Sequence, residues 1–187
     1  MKKLFFTLFL IPMMSFSQTM FADFKVIENE DEYMELEKLW KPYHLKMIEE
    51  GKMQAWLLFK VNSLNVEMEN PPTHVTINVF KDAEQLKSYS EKWNEAEFKN
   101  IVKSRFKKSY INKVLAKNPV TENRRYLLKY IDQTIQAGGF LKVGDVVTVG
   151  AMIQKTDDYE KVETHIYKPY VESQILKGNH RWWGLTK

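Results

Sequence analysis

One motif is written twice in this chain. Tyr33, Leu36, Glu37, Lys41-Pro42-Tyr43, Gly51 and Trp56 recur in order as Tyr159, Val162, Glu163, Lys168-Pro169-Tyr170, Gly178 and Trp183. From Lys41 to Trp56 the two stretches align without a gap, while between the tyrosine and the Lys-Pro-Tyr step the second carries one extra residue. Repetition over a whole supersecondary unit limits the architecture before any local element is assigned. The chain reaches Lys187 shortly after the second tryptophan, so the second unit reads as incomplete.

The local patterns fill in the first unit. Met20–Ile27 alternates and predicts a strand; Asn29 with Glu32 three residues on is a helix start. Tyr33, Leu36, Trp40, Tyr43 and Met47 then recur at helical spacing up to Gly51, a natural C-terminal stop. Met53–Val61 reads as a second strand, and Leu64–Pro72 as a polar loop. His74–Phe80 is a third strand, with Val75, Ile77 and Val79 on one face and His74, Thr76 and Asn78 on the other. Ala83–Lys117 is helical by pattern, expected in two pieces before Pro119, and Arg125–Gln133 is read as a strand from its β-branched and aromatic content. Gly138-Gly139 marks a junction, after which Val146–Ile153 is expected to open the second unit as a strand. The first unit thus runs β-α-β-β-α-β, an α+β ferredoxin-like order that covers one sheet face with helices and leaves the other bare. A proline inside a helix costs about 3 kcal/mol, so Pro42 and Pro169 predict a break or kink at the same place in both stretches.

At the other end, Lys2-Lys3, the apolar run Leu4–Met14 and the small residues Ser15 and Ser17 have the form of a cleaved secretory signal. The run is far shorter than the roughly 20 apolar residues of a membrane-spanning helix. The expected organisation is therefore a signal peptide over 1–17, a first ferredoxin-like unit over 18–137 and an incomplete second unit over 138–187. The mature protein is expected outside the cytoplasm, periplasmic or extracellular, with no transmembrane anchor. Without Lys2 and Lys3, 26 of the 28 basic residues remain against 24 acidic ones, and so balanced a charge gives no global argument for nucleic acid. The absence of cysteine rules out a disulfide framework, thiolate metal sites and cysteine nucleophiles.

The pattern of tyrosine, glutamate, aromatic-Lys-Pro, then glycine and tryptophan resembles exported bacterial members of the dimeric α+β barrel superfamily in tandem ferredoxin-like form. The resemblance spans Phe24 to the C-terminus and is clearest over Lys41–Trp56 and Lys168–Trp183. It implies a sheet whose bare face is hidden against a second unit or a second copy. The superfamily holds monooxygenases, haem-degrading enzymes, isomerases and binding proteins, so the fold alone carries little function. The tandem members continue past the second tryptophan into further strands and a helix.

The candidate chemistry is sparse. His44, His74, His165 and His180 show no paired metal-ligand spacing, and the bland reading makes them surface or half-buried side chains. His74 and Asn78 are the catalytic candidates; Trp56, Thr76, Tyr43 and Trp183 are the binding candidates. If His74, Thr76 and Asn78, with Gln54, Trp56 and Leu58, faced away from the helices, they would form an amphipathic pocket wall with an aromatic floor. Cofactor-independent oxygenases of the superfamily use such a wall, as the resemblance implies. The competing reading places the same residues in the interface between two sheets. Trp56 and Trp183 read first as core residues, and the Lys-Pro steps as scaffold. Ten basic residues against Glu122 alone between Lys99 and Lys129 read as a solvated face, with anionic lipid or polysaccharide as the sharper alternative. No phosphate loop, nucleophile elbow or metalloprotease motif is present. The expectation is an exported module that binds a small organic ligand or another protein, without cofactor, metal or nucleic acid, and able to form a homodimer through its bare sheet face. The alternative is a small cofactor-independent oxygenase or isomerase-like enzyme with a pocket between sheet faces.

Overall fold

A computed structural model describes residues 18–62 and 67–187. The expected signal segment and part of the 64–72 loop lie outside the described residues. The elements run β1 (Thr19–Ile27), α1 (Glu30–Glu49), β2 (Ala55–Lys60), β3 (His74–Phe80), α2 (Ala83–Lys92), α3 (Glu95–Lys103), α4 (Lys108–Leu115) and β4 (Val120–Gln133). After a long connection come α5 (Tyr159–Val162), a π-turn (Glu163–Tyr167), α6 (Lys168–Leu176) and β5 (Gly184–Thr186). One antiparallel sheet has the order β2-β3-β1-β4-β5. Its first four strands reproduce the ferredoxin-like arrangement, and β5 adds to the far end of β4, where Gln133 pairs with Gly184.

α1 starts where the side chain of Asn29 accepts the Glu32 N–H at 3.2 Å and stops at Gly51, whose φ of +67° suits glycine. Gly51 N–H bonds Ile48 C=O at 3.0 Å and Lys52 N–H bonds Met47 C=O at 2.8 Å. The second stretch ends the same way: Gly178 N–H meets Ile175 C=O at 2.9 Å and Asn179 N–H meets Gln174 C=O at 2.9 Å. The core lies between α1 and the sheet and is closed from the side by α2, α3 and α4. Leu39, Tyr43, Met47, Met53, Phe80, Leu86, Phe98, Val102, Ile111 and Val114 are its buried members.

Four expectations change. α1 is a single 20-residue helix running through Pro42. Side chains buried on both sides of the proline, Tyr33 and Leu39 before it and Tyr43 and Met47 after it, hold the helix continuous across the missing hydrogen bond. In the second stretch Pro169 falls instead at the start of α6, directly after the π-turn. A π-turn takes up one residue more than an α-turn, and this one contains the surplus residue of the second stretch. The stretch 83–117 forms three helices, because Asn94 caps α3 through the Glu97 N–H at 3.0 Å and a turn at 104–107 separates α4. Finally, 146–153 carries no strand. The outer edge of the adjoining end of β4 is taken by β5, and Val146, Val149, Met152 and Ile153 stand exposed without a ladder to join.

Candidate functional site

β3 alternates as its sequence predicts, but its polar face looks the other way. His74, Thr76 and Phe80 are buried, and His74 meets the α1 residue Tyr33 with ring centroids 4.9 Å apart. The wall expected to face away from the helices, or into an interface between two sheets, therefore lies under α1. Val75, Ile77 and Val79 occupy the opposite face, in register with Phe24, Ala22 and Met20 of β1 and with Phe59, Leu57 and Ala55 of β2.

At the start of α1, Glu30, Tyr33 and Glu37 recur at spacings of three and four and so share one helix face. His74 is only 3% exposed. Its Nδ1 lies 3.1 Å from the Thr73 hydroxyl, and its Nε2 stands 4.0 Å from Glu30 Oε1. Burial pushes its pKa down, so the ring is neutral at physiological pH. Beside it, Lys25 Nζ donates to Glu37 Oε1 at 3.0 Å and to the Tyr33 hydroxyl at 3.2 Å. Burial, with the Glu37 charge, pushes the Tyr33 phenol well up. Lys60 Nζ reaches Glu30 Oε2 at 2.7 Å, and that hydrogen bond holds Glu30 below the usual carboxylate range. Glu30, Lys60, Thr73 and His74 border a cleft of about 440 Å³ at the end of the sheet, whereas Lys25, Tyr33 and Glu37 do not line it. Its polar lining is Glu28, Glu30, Lys60, Asn62, Thr73 and His74, while Ile27, Val61 and Pro72 supply apolar wall.

Four residues along β3, about 13 Å at strand rise, lies a different environment. Asn78 sits directly across from Trp56. Trp56 stacks on His44 with centroids 5.1 Å apart, and Trp40 lies on His44 at 5.8 Å. Neither His44 Nδ1 nor Asn78 Oδ1 has a hydrogen-bond partner. Burial moves the His44 pKa down to about 4, so the reading of His44 as a surface or half-buried side chain is corrected. Thr76 is buried between the two environments. Tyr43 is 1% exposed and packs against Phe98 and Trp40; its edge borders a smaller cleft of about 180 Å³ with Tyr89 and Trp93.

The six candidates thus do not form one site. His74 belongs to the cleft, Trp56 and Asn78 to the aromatic box with His44, and Tyr43 to the core. Trp183 lies at the opposite sheet edge, where Thr134 N–H bonds its carbonyl and its own N–H bonds the Thr134 hydroxyl, each at 3.0 Å. Sequence reasoning did not find Glu30, Lys60, Lys25 or Glu37 as neighbours of His74, since no local pattern links β1 and β2 to the first turns of α1. For His44 a signal existed: the matched stretch has Val171 there. Among the described residues, no three acidic or histidine side chains group as a metal site, and no helix is long and apolar enough to cross a membrane.

No protein-family model matches the chain, and no curated protein matches it. Among solved structures, it is similar to a dimeric ferredoxin-like protein from an uncultured marine organism. That match has 12% identity and a TM-score of 0.41, covering 65% of this chain and 94% of the other. A second match is a hydroxynitrile lyase from Passiflora edulis, with 10% identity and a TM-score of 0.38, covering 59% of this chain and 91% of that one. Both likenesses are too distant to bear on function or assembly.

Proposed function

We propose that this chain is an exported module that binds a small organic molecule in the cleft at His74. The observation that carries this reading is a 3%-exposed histidine bordering about 440 Å³ of open space, with a carboxylate and an ammonium at its side. That size falls in the range of small-molecule sites, which combine apolar walls with a few placed polar groups. The class of ligand follows from the lining: an apolar body against Ile27, Val61 and Pro72, and a hydrogen-bonding group at His74. Export is supported by Lys2-Lys3 and the apolar run that follows. The two matched stretches, with their equivalent helix ends at Gly51 and Gly178, support descent from one duplicated unit. Catalysis by His74 with Asn78 and Trp56 finds no support, because His74 does not reach the other two. The test is a thermal-shift screen of small carboxylates, amides and phenols against the protein and its Lys60→Ala and His74→Phe variants. At least one class should raise the Tm by about 2 °C or more through binding to the folded state, and both variants should lose that response. No stabilisation, or equal stabilisation of the variants, overturns the reading.

A second reading rests on the other sheet face. Phe24, Leu57, Phe59, Val75, Ile77 and Val79 are half-buried there and apolar, which suits pairing with the same face of another copy. Light scattering across a concentration series tests it: a dimer supports the pairing, and a monomer throughout overturns it.

A further inference from the structure

Between Glu97 and Glu122 the chain has no acidic residue and seven basic ones: Lys99, Lys103, Arg105, Lys107, Lys108, Lys113 and Lys117. The remaining sequence carries 21 basic residues against 24 acidic ones, so the positive charge is concentrated in α3, α4 and the turn between them. The fold fixes which way these cations point. Phe98, Val102, Ile111 and Val114 are buried in the core, which turns the lysines of the same helices to solvent. Two of the seven are neutralised, Lys99 by Glu95 at 2.6 Å and Lys117 by Glu32 at 2.5 Å. Lys103, Arg105, Lys107 and Lys108 are exposed and make no ion pair with a described carboxylate. The N-terminus of α4 lies among them, with neither a side-chain cap nor an acidic residue in its first turn, which adds to the positive potential.

We propose that this turn is a docking surface for an anionic lipid bilayer. Four exposed cations within six residues, with no ion-pair partner among the described residues, concentrate positive potential at one place on the surface, which an anionic surface would neutralise. Three of the four are lysines, whose mobile point charges suit a diffuse anionic plane better than bidentate recognition of one group. The stretch contributes to neither the His74 cleft nor the Tyr43 cleft, so the patch stands apart from both. Each such charge near an anionic bilayer strengthens binding appreciably, and the attraction decays within a Debye length.

The experiment is co-sedimentation of the full chain with phosphatidylcholine vesicles containing roughly 30% phosphatidylglycerol, and with vesicles of phosphatidylcholine alone. The protein should bind the anionic vesicles and be released at about 0.5 M NaCl. The combined variant Lys103→Gln, Arg105→Gln, Lys107→Gln and Lys108→Gln should keep the Tm and lose at least about thirty-fold in vesicle affinity. Because the variant keeps every other segment, it controls for binding by any apolar part of the chain. Equal binding to neutral vesicles, failure to bind anionic ones, or full affinity in the variant overturns the proposal. Binding to a sulfated polysaccharide without binding to vesicles also overturns it and assigns the patch to a polymer.

Discussion

The imidazole of His44 lies face to face with the indole of Trp56, ring centroids 5.1 Å apart and planes 14° from parallel. Trp40 also stacks on His44, at 5.8 Å and 26°. In the matched stretch Tyr167, Val171 and Trp183 stand at the corresponding positions, and there Tyr167 meets Trp183 directly, at 6.1 Å. Val171 is buried like His44, so a plain aliphatic side chain satisfies the packing at this place. The histidine adds a polar atom that the packing does not need, and it leaves Nδ1 unpartnered.

That histidine makes the fold acid-sensitive. Burial lowers its pKa from 6.5 to about 4 in the folded protein. Above 6.5 neither state takes up the proton and the full stability is present. Between 6.5 and 4 the unfolded chain binds a proton that the folded one refuses, so stability falls by about 3 kcal/mol over that window. His44→Val should lose about 1 kcal/mol of ring stacking at pH 7 and flatten the pH dependence. Some slope should remain, because the pKa of His74 is displaced in the same direction. Urea unfolding at pH 7, 5.5 and 4 measures both. An unchanged slope in His44→Val contradicts the assignment.

The Lys25–Glu37 pair responds differently. Their side chains are 15% and 5% exposed and 3.0 Å apart, so removing one partner strands a poorly solvated charge. Glu37→Ala should cost about 3–5 kcal/mol, whereas a joint Lys25→Met and Glu37→Leu change should cost much less. Denaturant melts of the three proteins decide the point, and equal losses would contradict it.

Gly184 is needed by its neighbours. A Cβ there would lie 2.5 Å from Trp182 Cζ2 and 3.1 Å from Tyr130 Cε1, so the Trp182 ring can fold over the strand only when the residue is glycine. Gly184→Ala should push that ring out and weaken the β4–β5 pairing. The amide of Lys187, which bonds Lys129 C=O at 2.9 Å, should then exchange faster with solvent. Unchanged protection contradicts this role for the glycine.

The π-turn at Glu163–Tyr167 should be dispensable. Deleting Ile166, which is 67% exposed, restores the eight-residue step that separates Tyr33 from Lys41. A regular α-helix should replace the π-turn with a stability change of about 1 kcal/mol or less. Loss of cooperative melting would mean that the extra residue is needed for packing.

Much of the fold was legible because its signals are local. Asn29 with Glu32, the glycine at 51, the alternation of β3 and the repeated motif each act within a few residues. The direction in which β3 faces was not legible. A strand with valines on one side and His74, Thr76 and Asn78 on the other reads as polar-outward, yet here His74 and Thr76 are buried, with Tyr33 of α1 lying against His74. Val146–Ile153 misled for the same reason: its side chains favour a strand, but a strand also needs an open ladder. The candidate site was half-legible. His74 was identified on β3, while Glu30 and Lys60 reach it only through the packing of α1 on β2 and β3.

The central claim is that the cleft beside His74 takes a small organic molecule, and a heteronuclear NMR fragment titration tests it most directly. Fragments with an apolar ring and one hydrogen-bonding group should shift the amides of Ile27, Glu30, Lys60, Val61, Thr73 and His74, and the shifts should vanish in His74→Phe. Shifts confined to the smaller cleft at Tyr89 and Trp93, or none across the set, would contradict the account.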